Sequence, residues 1–196
     1  MLPFASFFPQ PVEAFVDNFD RPNEPLSNSP NWTRANVGST DLVVSGGRVF
    51  ANGTGSAYYV GANQFSRTFA TQAVLSKVTI AGRVGPVLLG YLTTASGSIN
   101  IIGVRSTNDG LQLLITTGSG ETFATETESI GGHSTGDLIR IEMRLLEKTF
   151  RVLRNGVVIY SAAIPAAMPL TSTRSGIAGI GASSSYYLDN YKSEAI

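Results

Sequence analysis

The stretch GDLIRIEMRLLEKTFRVLRNGVVIYSAAI, residues 136–164, constrains the fold more than any other part of the chain. Apolar and charged residues alternate from Ile139 to Leu145, which is the period of a β-strand with one buried face. A turn is predicted near Glu147-Lys148. The pair Asn155-Gly156 favours a type I′ turn, because both of its central positions need a positive φ. The stretch therefore predicts successive antiparallel strands.

Other parts of the chain carry the same kind of signal. Gly46-Gly47 divides LVVSGGRVF into a hairpin, and Asn108-Asp109-Gly110 has the chemistry of a turn. Apolar runs predict strands at residues 73–82, 86–93, 99–106 and 111–117, and two short strands near the end. Charged residues are only 14% of the chain, against about 25% in ordinary domains. An all-β sandwich joined by tight turns fits this composition.

The charge and cysteine counts exclude several classes of function. The 14 basic and 14 acidic residues cancel, whereas a nucleic-acid binder carries a basic stripe that neutralises phosphates. The chain has no cysteine, so disulfides, thiolate metal sites and cysteine nucleophiles are excluded. No apolar run reaches the length of about 18 residues that a membrane span needs. We therefore expect neither a nucleic-acid partner nor a membrane partner.

The first 14 residues differ from the rest of the chain. Four large apolar residues lie there among three prolines, namely Leu2, Phe4, Phe7 and Phe8. Proline favours extended backbone, and exposed Phe side chains in water need a cover. We therefore predict an extended apolar arm, residues 1–14, before a domain of residues 15–196. The arm is expected to dock on its own domain or on a neighbouring chain.

Three motifs, in order, carry a resemblance to a known family. The opening DNFDRPNEPLSNSPNW resembles the start of concanavalin A-like (laminin-G-like) jelly-roll domains found in bacterial and phage proteins. The hairpin from GDLIRIE to RNGVVI, then SGIAGIG and LDNY, are similar to the closing strands of that group. The resemblance covers about residues 15–191. It implies a two-sheet antiparallel jelly-roll sandwich in which the first and last strands pair, with Phe19 and Tyr191 side by side and Trp32 in the core.

The resemblance also raises the question of catalysis. Laminarinase-like enzymes of this fold have a site that resembles E-x-D-x-x-E, with two carboxylates that share the work of glycoside cleavage. Glu142 and Glu147 have the outer spacing, but Arg144 replaces the middle acid and is expected to pair with Glu142. His133, the single histidine, is expected in a surface loop. We therefore predict a protein that is not an enzyme, with no catalytic residue, cofactor or metal.

Adjacent tyrosines are the best candidates for surface contacts. In a strand, each pair of neighbours puts one ring inward and one outward. The outward ring could stack on a sugar or pack on another subunit, and the sequence does not separate these uses. The candidate contacts are Tyr58 or Tyr59, Tyr186 or Tyr187, and Arg140 or Arg144.

The function predicted first is that of a structural protein of a tailed-phage virion. A capsid decoration (cement) protein is favoured over a tail or fibre component. Its partners would be the major capsid protein or tail proteins, and it would act in the virion after assembly in the bacterial host cytoplasm. We expect a homo-oligomer, with a trimer as one candidate. The alternative is a carbohydrate-binding, lectin-like module that recognises host glycans.

Overall fold

The computed structural model describes residues 14–35, 41–52, 56–65, 68–79, 85–95, 98–116, 126–170, 173–180 and 183–196. These residues form two antiparallel sheets that pack face to face. The strands are β1 (Ala14–Asp17), β2 (Glu24–Pro25), β3 (Trp32–Arg34), β4 (Asp41–Ser45), β5 (Arg48–Asn52), β6 (Ser56–Phe65), β7 (Phe69–Leu75), β8 (Gly85–Ala95), β9 (Ser98–Thr107), β10 (Gly110–Thr116), β11 (Glu126–Gly131), β12 (Leu138–Arg144), β13 (Thr149–Arg154), β14 (Val157–Ala163), β15 (Thr173–Ile180) and β16 (Ser183–Ala195).

Each sheet combines a run of consecutive strands with strands that are distant in sequence. The nine-stranded sheet has the order β14-β13-β12-β7-β16-β5-β4-β2, and β1 pairs with part of β16. The seven-stranded sheet has the order β11-β10-β9-β8-β15-β6-β3. The described residues contain one short helix, a 3₁₀ turn at Leu26–Asn28. None of the described helices is long and apolar enough to cross a membrane. The predicted all-β sandwich is confirmed.

The alternating stretch forms two successive hairpins at one edge of the nine-stranded sheet. β12 pairs with β13 and then β13 with β14, and the apolar residues of β12 face the core while its charged residues face outward. Asn155 and Gly156 both have positive φ, at 50° and 82°, as a type I′ turn requires. Lys148, in the preceding turn, has a φ of 52°. The two predicted turns are therefore present where the sequence indicated them.

The first and last strands close the sandwich. β1 and β16 are antiparallel, with Asp17 opposite Tyr191. Phe19, Trp32 and Tyr191 are buried in one core cluster, and the Trp32 and Tyr191 rings meet edge to face with centroids 4.9 Å apart. The opening motif is thus an entry strand followed by an aromatic anchor, as the resemblance implied.

One predicted strand is shorter than expected. The alternation at residues 73–82 predicts a single strand, but β7 ends at Leu75. The next residues cross from the nine-stranded sheet towards the seven-stranded sheet. The N–H of Ser76 still donates to the Tyr187 carbonyl at 3.0 Å, and the N–H groups that follow donate to side chains. Lys77 donates to Thr135 Oγ1 at 3.0 Å and Val78 donates to Ser106 Oγ at 3.2 Å. The apolar period continues because Val78 is buried, although the backbone has left the sheet.

The predicted arm lies outside the described residues, apart from Ala14. Ala14 already belongs to β1 and pairs with Glu194. The division into an arm and a domain therefore stays a prediction.

Candidate functional site

The outer face of the nine-stranded sheet carries a network of charged side chains around Arg140. Arg140 donates to Gln72 Oε1 at 2.9 Å, to Glu194 Oε1 at 3.0 Å and to Glu142 Oε1 at 3.2 Å. Lys192 Nζ lies 2.6 Å from Glu194 Oε2. Burial opposes ionisation of Glu194, but bonds from Lys192 and Arg140 outweigh it and lower the pKa of that carboxyl. The charges of this network are therefore paired with one another.

An aromatic group lies on the same outer face, on β5 and β16. Tyr187 is half-buried and pairs across the ladder with Phe50, and the two rings meet edge to face with centroids 6.1 Å apart. The guanidinium carbon of Arg48 lies 4.1 Å from the centre of the Tyr187 ring. We call Arg48, Phe50 and Tyr187 the aromatic platform. It combines ring surface, a hydroxyl and a cation on one patch of a rigid sheet.

The two tyrosine pairs differ in what they offer to the surface. Tyr59 is fully buried, and its hydroxyl donates to Asp41, so burial and this carboxylate raise the pKa of the phenol. Tyr186 is buried as well, with its hydroxyl 3.0 Å from Thr79 Oγ1. Tyr59 and Tyr186 are therefore the inward members of their pairs, because both rings fill the interior. The side chain of Tyr58 lies outside the described part of the structure, and Tyr187 is the outward member of its pair.

The two candidate arginines lie on the outer face, as predicted, but their surroundings differ. Arg140 is engaged by Glu142, Glu194 and Gln72, so its charge is already used within the sheet. Arg144 is half-buried, and its Nε is shielded from water without a hydrogen-bond acceptor within the described residues. Sequence reasoning missed Arg48 and Phe50. Alternate residues of a strand point to opposite faces. In the strand that follows Gly46-Gly47, this alternation was the one signal that could have placed both residues on the outer face.

The acidic spacing that resembles a glycosidase site is not built as a site here. Glu142 lies on the outer face of β12 and pairs with Arg140, not with Arg144 as the sequence predicted. Both arginines lie two residues from Glu142, but the guanidinium of Arg140 is also held on this face by Gln72 and Glu194. Glu147 is exposed in the turn between β12 and β13. The two carboxylates therefore belong to different environments, a sheet face and a turn.

The single histidine is buried and not at the surface, contrary to the sequence prediction. The His133 side chain has no exposed surface, and its Nδ1 lies 3.5 Å from Asp137 Oδ2. Burial lowers the pKa of the imidazole, although the Asp137 carboxylate opposes that shift. The described residues contain no group of three or more potential metal ligands. Asp17 is engaged by Arg21 and Trp32.

The sequence matches no protein-family model and no curated protein. Among solved structures, the model is similar to the carbohydrate recognition domain of Emp46p in its potassium-bound form, with a TM-score of 0.60, 11% identity and coverage of 91% of this chain and 93% of that one. The chain has the jelly-roll fold of lectin-like domains. It is also similar to a legume lectin-like domain from Entamoeba histolytica, with a TM-score of 0.56, 17% identity and coverage of 85% and 90%.

Two further similarities concern proteins that act on or bind sugars. The carbohydrate-binding module CBM66 from Bacillus subtilis has a TM-score of 0.54 and 13% identity, and the match covers 86% of this chain and 98% of the module. A sialidase matches with a TM-score of 0.51, but over only 19% of its own length. At these identities the comparisons concern the fold. They lend no support to the predicted phage virion context.

Proposed function

We propose that this domain is a non-enzymatic carbohydrate-binding module, with the aromatic platform as its binding surface. The observation that carries the proposal is the half-buried Tyr187 ring, held between Phe50 and Arg48 on the outer face of the sheet. A tyrosine has an apolar ring face and a polar hydroxyl. It therefore suits a sugar, which presents both C–H groups and hydroxyls. The fold likeness to carbohydrate recognition domains supports the same function.

The surroundings of Tyr187 favour a sugar over an apolar partner. Asp189 follows two residues later on the same strand face and is half-buried, so a hydrogen-bond acceptor lies next to the ring. Arg48 is exposed and contributes donors on the other side. A small number of placed polar groups around an aromatic surface is the usual composition of a small-molecule site. A ligand with hydroxyls above and beside the ring would use all three residues.

The rigidity of the platform supports recognition rather than catalysis. Each of its residues belongs to β5 or β16 within a paired ladder, so little conformational freedom is lost when a ligand binds. Glu142 is paired with Arg140 and Glu147 lies in an exposed turn, so these two carboxylates do not form an opposed pair of acid and base. We therefore propose binding without cleavage, so the unchanged protein should leave any polysaccharide that it binds intact. Cleavage by the unchanged protein that Glu142→Gln abolishes would contradict this.

Glycan-array binding followed by calorimetry tests the proposal. Tyr187→Ala and Arg48→Ala should each weaken binding of the best glycan by roughly tenfold or more, which corresponds to about 1.4 kcal/mol. Tyr187→Phe keeps the ring and should lose less glycan affinity than Tyr187→Ala. Arg151→Ala is the matched control, because Arg151 is a half-buried arginine on the same outer face, but on β13, three strand positions from β16. Its affinity should equal that of the unchanged protein.

Two results would contradict the proposal. If no glycan binds, or if Tyr187→Ala binds as tightly as the unchanged protein, the platform is not the site. The virion role, as a decoration or tail component of a phage assembled in a bacterial cytoplasm, remains a prediction from sequence resemblance alone. No described contact favours it over sugar binding.

A further inference from the structure

The outer face of the seven-stranded sheet is apolar and yet buried. Its outward side chains form a second hydrophobic cluster, separate from the core between the sheets, and each is at most 5% exposed. The cluster includes Val60, Val87, Leu89, Leu92, Ile101 and Leu114. It crosses five neighbouring strands, from β6 to β10. The outer face of the other sheet, by contrast, is half-exposed and charged.

A cluster this well shielded needs a cover over the sheet. Within the described residues, Ala35 is the one partly buried apolar residue that packs against it. Arg105 and Gln112 lie on the same face, where Arg105 donates to Gln112 Oε1 at 2.5 Å, and Arg105 is buried too. A sheet of a two-layer sandwich normally leaves its outer face to water. The apolar outer face of the seven-stranded sheet therefore suits a cover that is itself an apolar segment.

We propose that residues 1–13 of the same chain lie across this face and form its cover. The segment contains Leu2, Phe4, Phe7 and Phe8, so it supplies large apolar side chains without charge next to them. The other segments outside the described residues are short or polar. The longest of them, residues 117–125, reads TGSGETFAT and has a single aromatic residue.

The geometry of β1 gives this segment a route to the face. Phe15 lies against β6, since a Cβ added at Gly61 would be 2.9 Å from its ring. Phe15 therefore lies on the inner side of β6, whereas the neighbouring residue Val60 points to the other side of the sheet, into the outer cluster. To reach that side the arm must pass around the sheet edge, which adds about 10 Å, the spacing between two packed sheets. Thirteen extended residues reach about 43 Å, and the four strand intervals from β6 to β10 span about 19 Å. The arm is therefore long enough to cross the whole cluster from its attachment at Ala14.

Engineered disulfides test the proposal directly, because the chain has no cysteine of its own. Phe4→Cys, Phe7→Cys or Phe8→Cys is combined with Gln112→Cys, which lies on the proposed face. The matched control replaces Gln112→Cys by Gln72→Cys, a half-buried glutamine that also accepts a bond from an arginine but lies on the opposite sheet. A disulfide requires Cα atoms within about 7 Å, so only an arm on the correct face can form one.

We expect at least one arm position to cross-link with Gln112→Cys within a single chain, as a fast monomer band on a non-reducing gel, and none with Gln72→Cys. Equal cross-linking to both faces, or no intramolecular cross-link from any of the three positions, would overturn the proposal. Cross-links found only in dimers would overturn it in favour of a second copy as the occupant.

Removal of residues 1–13 provides an independent readout. The truncated chain should bind a hydrophobic dye with several-fold higher fluorescence, and a synthetic peptide of residues 1–13 should reverse the increase. The same peptide with Phe4, Phe7 and Phe8 replaced by Ser is the control and should have no effect. Unchanged dye fluorescence in a folded truncated chain would contradict the proposal. Neither experiment depends on glycan binding, so its outcome is separate from that of the proposed function.

Discussion

The indole Nε1 of Trp32 donates a hydrogen bond of 2.7 Å to Oδ2 of the buried Asp17. The same carboxylate accepts from Arg21 at 2.8 and 2.9 Å and from the backbone N–H of Phe19 at 2.8 Å. Phe19 has a φ of 57°, which is rare for an aromatic residue. One carboxylate therefore ties the entry strand, a strained backbone and the aromatic anchor together.

Asp17→Ala should destabilise the domain by about 2–4 kcal/mol, because it leaves the indole N–H of Trp32 and the backbone N–H of Phe19 without an acceptor. Arg21 would keep one acidic partner, since its Nε donates to Glu24 Oε1 at 2.7 Å. Urea unfolding followed by Trp32 fluorescence measures the change. Asp20→Ala is the control, since Asp20 is exposed, and it should stay within about 0.5 kcal/mol. Similar costs for the two variants would show that Asp17 is not an anchor.

Gly90 on β8 packs directly against Ile141 on β12 of the other sheet. A Cβ there would overlap Cγ2 of Ile141 and lie 2.8 Å from its Cβ. Gly90→Ala should therefore cost about 1–3 kcal/mol through overpacking. In an Ile141→Ala background the added cost should be smaller, because neighbouring substitutions are not additive. Gly132→Ala should be close to neutral in the same unfolding experiment, because the nearest atom to an added Cβ there is Nη1 of Arg154, at 4.0 Å.

His133 should make the domain less stable in mild acid. Burial lowers its pKa in the folded state, so below the unfolded value of about 6.5 the unfolded chain takes up a proton that the folded chain refuses. Stability is then lost as pH falls through 6.5, by at most about 1.4 kcal/mol for each pH unit. Asp137 and Lys77 act on the same ring in opposite directions.

The measurement for His133 is the urea midpoint at pH 7.5 and at pH 5.5. The unchanged protein should lose more stability between these two values than His133→Gln, whose side chain does not titrate. Carboxylates contribute equally to both proteins, so the difference isolates the histidine. An identical loss in both would mean that His133 can be protonated without leaving its site.

Asn155 should stabilise the fold through both its backbone conformation and its side-chain hydrogen bonds. Its φ is 50°, its Oδ1 accepts from the N–H of Leu138 at 2.9 Å and its Nδ2 donates to Asp137 at 2.8 Å. Asn155→Gly keeps the conformation and should cost about 0.5–1.5 kcal/mol from the lost bonds. Asn155→Ala should cost about 1–2 kcal/mol more, because alanine resists positive φ. Thermal unfolding compares the two, and equal losses would contradict the backbone part of the argument.

Local signals predicted most of the strands and turns. The alternation at residues 139–145 and the glycines of the two-residue turns act within a few residues, so they can be read without the rest of the chain. The pairing of β1 with β16 came from the family resemblance, since no local pattern links Asp17 to Tyr191 across the whole chain.

Long-range placement explains what the sequence did not predict. Residues 76–79 keep a strand-like period, but their backbone partners are Tyr187, Thr135, Ser106 and Tyr186, which are distant in sequence. His133 is buried because the chain folds back around Asp137 and Asn155. The aromatic platform combines β5 with β16, so Arg48 and Tyr187 meet only when the sheet forms. Such sites depend on topology and not on any single segment.

The register that sets Ala14 opposite Glu194 brings the entry and exit of the domain to one point. Tension between these ends would act along the hydrogen bonds of the β1–β16 ladder, which lie perpendicular to antiparallel strands. These hydrogen bonds would then break one after another and would not bear the force together. Separation of the two strands would first be strongly resisted at Asp17, where hydrogen bonds from Arg21 and Trp32 hold the strand. Under mechanical load, β1 should separate from β16 well before either sheet comes apart.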